Sequence, residues 1–182
     1  VKYGYCDYSP ITFASTGVIL TGALNDLSGG AVYSEHAVAL LQKTQSKGIH
    51  ARTILILYGF TFPWTKPLRS VLKPLLLGYD NGLKAGDIES ASWCIYNYCT
   101  HQFWLGTSLP TVIDNLLVYS SQMRNLEKFI QADACDIMRQ TLQKLTGQDA
   151  SSLPSDGDVV SMEDIAKVEK DKATADAPTQ QG

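Results

Sequence analysis

The chain has 182 residues and a mass of 19.9 kDa, the size of one domain or of one domain with a tail, and 45% of it is apolar, enough to build a core. Charged residues make up 18% and the net charge is −3, which argues against a nucleic-acid surface, since gripping phosphates takes clustered Lys and Arg. The longest apolar run, Thr53–Trp64, is broken by Gly59 and Pro63 and falls short of the roughly 18 residues that a membrane-spanning helix needs.

The chain opens on Val1 with no basic-then-apolar leader and closes in a polar tract at Gly182, so it reads as a fragment of a longer protein. Residues 1–10 form a lead-in, residues 11–147 a helical domain and residues 148–182 an acidic linker or tail. Four cysteines are too few for a disulfide framework at this length and imply reduced thiols in the cytoplasm.

Phe13, Gly17, Leu20, Leu24 and Leu27 step by 4, 3, 4 and 3, the stripe of a helix that Ser28-Gly29-Gly30 ends. Tyr33, Ala37, Leu40, Leu41 and Thr44 form the next stripe, closed by Gly48. Ile49–Phe60 is apolar almost all round and reads as a buried helix, although Ile54–Tyr58 alone also suits a strand. Phe62-Pro63-Trp64 breaks the chain, and Thr65 and Pro67 open another helix. That helix carries Leu68, Leu72, Leu75, Leu76, Tyr79 and Leu83, with Pro74 as a kink.

Gly86 suits a left-handed cap, and Asp87 caps the helix of Ile88, Ala91, Ile95, Tyr98 and Gln102. Gly106 closes it, and Ser108 and Pro110 start a helix with Val112, Leu116 and Tyr119. The last helix, Leu126 to Leu145, uses Ile130, Ala134, Ile137 and Leu145, with Gly147 beyond its end. About seven helices with short loops make an all-α, antiparallel helical-hairpin array. Small residues recur loosely at the Leu24–Ala31 and Leu83–Asp87 joints, about 55–57 residues apart by this alignment, as in a tetratricopeptide-like solenoid.

The tail holds eight acids against three lysines, a net −5, leaving +2 for residues 1–147. It has no aromatic residue and too little apolar surface to offset chain entropy, so most of it should be disordered. Ser161 and Asp164 resemble a capping box, and Met162, Ile165 and Val168 line one side of a short helix that would be marginal alone.

Chemistry has few candidates. Leu27-Ser28-Gly29-Gly30 matches the signature loop of ABC-type ATPases, but no Walker A sequence accompanies it, so it reads as a helix break. Cys94, Cys99 and His101 cluster within eight residues. On a helix, however, the two thiols lie about 140° apart and His101 about 200° beyond Cys99, so buried thiols fit better than a metal site. Asp26, Asp87 and Glu89 stand where caps and first-turn acids belong. His36 and His50 lie in no metalloprotease-like motif, and no serine-nucleophile motif occurs. No Lys/Arg stripe interleaves with Trp64, Trp93, Trp104 and the tyrosines to bind bases. No catalytic, cofactor-binding or metal-ligating residue is assigned.

The run Gly82-Leu83-Lys84-Ala85-Gly86-Asp87-Ile88-Glu89-Ser90-Ala91, then Tyr96-Asn97-Tyr98 and Phe103-Trp104-Leu105-Gly106-Thr107-Ser108-Leu109, brings a family into view. Tyr58-Gly59-Phe60 with Trp64 and Pro67-Leu68, and Arg139-Gln140-Thr141-Leu142 with Leu145 and Gly147, add to it. Together, over residues 10–147, they resemble the helical region that follows the AAA-type ATPase module of large signalling proteins fused to serine/threonine kinase, histidine kinase or cyclase modules. The resemblance implies a tetratricopeptide-type superhelix that relays between ATPase and output module. It implies a non-catalytic scaffold whose partners are those modules or other proteins, with no nucleic acid and no membrane. The acidic tail departs from that pattern. The competing expectation is a freestanding small helical enzyme or metal-binding protein that uses Cys94, Cys99 or His101.

Overall fold

In a computed structural model that describes residues 4–44 and 47–147, every regular element among the described residues is helical. The chain is all-α, as its stripes require. Helix α1 runs through Ser9–Val18 and a π-type turn, Ile19–Ala23, and α2 is Leu27–Thr44. Helix α3 joins His50–Ile54, a π-type stretch Leu55–Thr61 and a last turn Phe62–Thr65. Then follow α4 (Arg69–Ala85), α5 (Ile88–Trp104), α6 (Leu109–Asn125) and α7 (Phe129–Leu145). The Ile54–Tyr58 segment is therefore helix and not strand, and α1 begins two residues before the expected boundary at residue 11. The expected tail, 148–182, lies outside the described residues.

The joints show where local chemistry sets the path. Gly86 ends α4 in the left-handed region at φ +80°, and the Asp87 carboxylate accepts the Ser90 N–H at 3.2 Å to start α5. Both match expectation. Ser28-Gly29-Gly30 does not break a helix: it is the first turn of α2, where the Gly29 N–H donates to the Asp26 carboxylate at 2.8 Å. The break comes earlier, where Asn25 turns left-handed at φ +54°. Nor does Phe62-Pro63-Trp64 break the chain, because those residues are helical and the extended residue is Lys66. Lys66 precedes Pro67, and the proline ring disfavours helical geometry in the residue before it. At the far end, α6 runs to Asn125 and α7 starts at Phe129, not Leu126, with Glu127 left-handed at φ +59° between them.

Two core clusters share α5. Leu57, Phe62, Val71, Leu75 and Cys94 belong to the first; Ile95, Cys99, Leu116, Cys135 and Leu142 belong to the second. Buried residues therefore lie on both sides of α5. The odd-numbered helices pack in succession, α1 on α3, α3 on α5 and α5 on α7, and each even-numbered helix packs antiparallel on its neighbours. Helices α3 and α5 run parallel, with the Cys94 thiol 3.6 Å from the Ala51 carbonyl and Asn97 beside Gly59. Helices α5 and α7 are parallel too: Lys128 meets Glu89 at 3.2 Å, and the Thr100 hydroxyl lies 3.6 Å from the Met138 sulfur.

The starts of the odd-numbered helices, Ser9, His50, Ile88 and Phe129, are 41, 38 and 41 residues apart. That spacing replaces the expected 55–57. The aligned joints were not equivalent, since Leu24–Ala31 leads from an odd to an even helix and Leu83–Asp87 from an even to an odd one.

One expected stripe is turned to the core only at its start, through Phe13 and Gly17, and another faces away from it. In α1 the buried residues are Pro10, Ala14, Gly17 and Thr21, whereas Leu24 and Leu27 are exposed. A Cβ on Gly30 would meet the Thr21 hydroxyl and, at 2.9 Å, the Gly17 carbonyl, so α1 and α2 approach through small residues. In α7 the buried face is Gln131, Ala132, Cys135 and Leu142, while the expected stripe of Ile130, Ala134, Ile137 and Leu145 looks outward.

Candidate functional site

Cys94, Cys99 and His101 sit on one helix and face three different places. Cys94 points to α3 at Ala51, Cys99 lies in the second core cluster, and His101 faces the π-type stretch of α3. No group of three His, Cys, Asp or Glu side chains is placed to hold a metal among the described residues. Burial pushes the Cys94 and Cys135 thiols up to about 12 and raises Cys99 as well, so near neutral pH these sulfurs are protonated and poor nucleophiles.

His101 is 8% exposed, and neither ring nitrogen has a hydrogen-bond partner. Pro63 has no N–H to offer the Gly59 and Tyr58 carbonyls four and five residues back. The imidazole faces those two carbonyls. Burial holds its pKa below the usual histidine range, and the carbonyls oppose that shift. The other polar candidates are structural. Asp26 and Asp87 are caps, and Glu89 accepts from the Trp93 indole at 3.1 Å while pairing with Lys128, just before α7, and with Gln131 of α7. His36 Nδ1 lies 2.7 Å from the Val32 carbonyl, and His50 lies 3.5 Å from the Asn81 amide.

The motif around Gly82–Ala91 has the same character. Gly82 meets Ala91, Gly86 supplies the left-handed turn, Asp87 caps and Glu89 ties α5 to α7. Each position has a packing or capping reason.

What the described residues expose is apolar surface. Phe60 and Trp64 on α3 are 49% and 73% exposed, and Trp104 on α5 is 68% exposed. The parallel α3 and α5 bring these three residues to the C-terminal ends of neighbouring helices. Between α5 and α7 lies an apolar groove of about 350 Å³ lined by Tyr96 and Phe103 of α5 and by Ala134, Ile137, Met138, Thr141, Leu142 and Leu145 of α7. A second hollow, about 400 Å³, lies among Tyr8, Ile11, Ile49, Arg52 and the carboxylates Asp7 and Asp87. The spacing of Phe60 and Trp64, four residues apart on one helix, was the available sequence signal for the first surface. Trp104 carried none, because an aromatic residue at a helix end fits core and surface equally. No helix among the described residues is long and apolar enough to cross a membrane. Comparison with protein-family models, curated proteins and solved structures finds no match to this chain.

Proposed function

We propose that this chain is a non-catalytic helical scaffold, a tetratricopeptide-like segment of a multidomain cytoplasmic signalling ATPase/kinase that holds a neighbouring module or another protein against the ends of α3 and α5. The observation that carries this reading is the exposure of Phe60, Trp64 and Trp104 at one end of two parallel helices. Large aromatic side chains left in water cost solvation free energy, and at that end they form a ready anchor set for a protein surface. The repeat of about 40 residues between odd-numbered helices supports an array of hairpins, a form suited to extended binding surfaces. The raised thiols and the capping roles of the acids weigh on the side of scaffold against enzyme.

Two measurements test it. The transcript on both sides of these residues should encode a phosphate-binding Gly-Lys-Ser/Thr loop upstream and a kinase or cyclase downstream; flanks with neither would overturn the signalling context. The module so found, titrated against this chain, should lose about tenfold or more affinity when Trp64 and Trp104 are both changed to Ser, with the melting temperature unchanged. Equal affinity would remove this surface from the proposal.

A further inference from the structure

Each odd-numbered helix except the last is covered on its forward side by the next: α1 by α3, α3 by α5 and α5 by α7. Helix α7 has no such cover among the described residues, and its outward stripe is apolar, with Ile130 62% and Leu145 63% exposed. We propose that the groove between α5 and α7 is the docking site of this chain's own segment Ser161–Lys170, held through Met162, Ile165 and Val168.

Position, reach and pattern support this occupant. The chain leaves α7 at Leu145, itself a groove residue, and Gly147 turns it left-handed at φ +73°. The tail therefore starts at the rim of the groove. Thirteen residues lie between Gly147 and Ser161. They span at most about 50 Å and on average roughly 20 Å, close to the ~25 Å length of a 17-residue helix such as α7. Tethering over that distance gives a millimolar effective concentration, so weak intrinsic binding is enough to fill the groove. Ser161–Lys170 carries a capping-box start and apolar residues three apart, with Glu163, Lys167 and Lys170 between and beyond them. Such a helix is marginal alone and gains its stability from burying that stripe, which is what an open apolar groove offers. Charge does not oppose the contact, since the tail is −5 and residues 1–147 are +2.

The test is hydrogen exchange and side-chain NMR on the full 182-residue chain, compared with the variants Ile165→Asp and Ile137→Asp. Ile165→Asp changes no residue of the described helices; Ile137→Asp alters the groove from the other side. The expected result is amide exchange in Ser161–Lys170 slowed about tenfold or more relative to free-chain rates. Both variants should return that exchange to the free-chain rate, and Ile165→Asp should shift the ring resonances of Tyr96 and Phe103. Free-chain exchange of the segment in the parent protein would overturn the proposal. So would protection that survives Ile137→Asp, or a dimer that dissociates on Ile137→Asp while the segment exchanges freely, which would assign the groove to a second copy. None of these outcomes depends on Trp64 or Trp104, so the scaffold reading stands or falls separately.

Discussion

Gly82 shows how much one absent methyl group can decide. A Cβ there would lie 2.8 Å from the Ala91 Cβ, 2.9 Å from the Ala51 Cβ and 3.0 Å from the Asp87 carbonyl oxygen, so three separate groups would have to yield. Helix propensity favours Ala over Gly by about 1 kcal/mol, but overpacking at a fixed helix crossing costs about 1–3 kcal/mol. Gly82→Ala should therefore lower the urea midpoint. Gly22→Ala, with nothing within 4 Å of its Cβ, should leave the midpoint unchanged or raise it. The thiols provide a second check at this scale. Cys6 is exposed and its pKa is lowered, chiefly by the Ser9 hydroxyl, whereas Cys94, Cys99 and Cys135 are buried and raised. A thiol reagent at pH 8 should label one of the four cysteines quickly in the native protein, and all four in denaturant. Rapid native labelling of Cys94 or Cys99 would revive the enzyme reading.

At the scale of single elements, α7 shows what periodicity cannot settle. Two apolar stripes run along it, offset around the helix: the larger is Ile130, Ala134, Ile137 and Leu145, and the smaller is Ala132, Cys135, Met138 and Leu142 with Gln131. Size favours the first, yet the chain buries the second against α5 and α6. Arg124 of α6 fixes that rotation by gripping Asp133 at 2.8 Å and Asp136 at 2.7 Å, as do Lys128 and Gln131 meeting Glu89. Leu142→Ala should cost about 2–5 kcal/mol, because it empties a buried site. Ile130→Asp, on the exposed face, should change stability by no more than about 0.5 kcal/mol in the same chemical denaturation. Equal costs would mean that α7 is rotated from the position described. Helix α3 carries the complementary lesson. Its apolar residues read correctly as a buried helix, but local spacing did not show that Leu55–Thr61 is π-type or that it packs on α5.

For the whole molecule, the buried titratable groups set the pH window of stability. His50 and His101 have pKa values below the usual histidine range because of burial, so below about pH 6.5 the unfolded chain binds protons that the folded chain does not. Stability falls as pH drops through that range. The thiols act at the other end: their ordinary value is 9.0, folding raises Cys94 and Cys135 to about 12, and stability falls as pH rises from one value towards the other. Urea midpoints should therefore plateau between about pH 6.5 and 9, and His101→Gln should flatten the decline between pH 6.5 and 5. A midpoint that rises on acidification would contradict the buried placement of His101. The same burial arises from the layering, in which α5 lies between α3 and α7 on its two sides and carries α4 and α6 as well.

The sequence by itself determined the all-α class and the joints at Gly48, at Gly86 with Asp87 and at Gly106. Helical stripes, Gly86 with Asp87, Gly106, and Lys66 before Pro67 act within a few residues, so their effect depends on backbone geometry and local hydrogen bonds alone. It also contained the packing logic of Gly82 and Ala91, although not what they touch. Only the tertiary structure decided which of two apolar stripes is buried in α7, that Ser28-Gly29-Gly30 opens a helix instead of closing one, and that Phe60, Trp64 and Trp104 stay in water. Each of those outcomes turns on contacts between residues far apart in the chain: Gly30 against Gly17 and Thr21, Glu89 against Gln131, Ala51 against Cys94. A helix has several faces of similar hydrophobicity, and its rotation is chosen by the neighbours it meets, which no local spacing encodes.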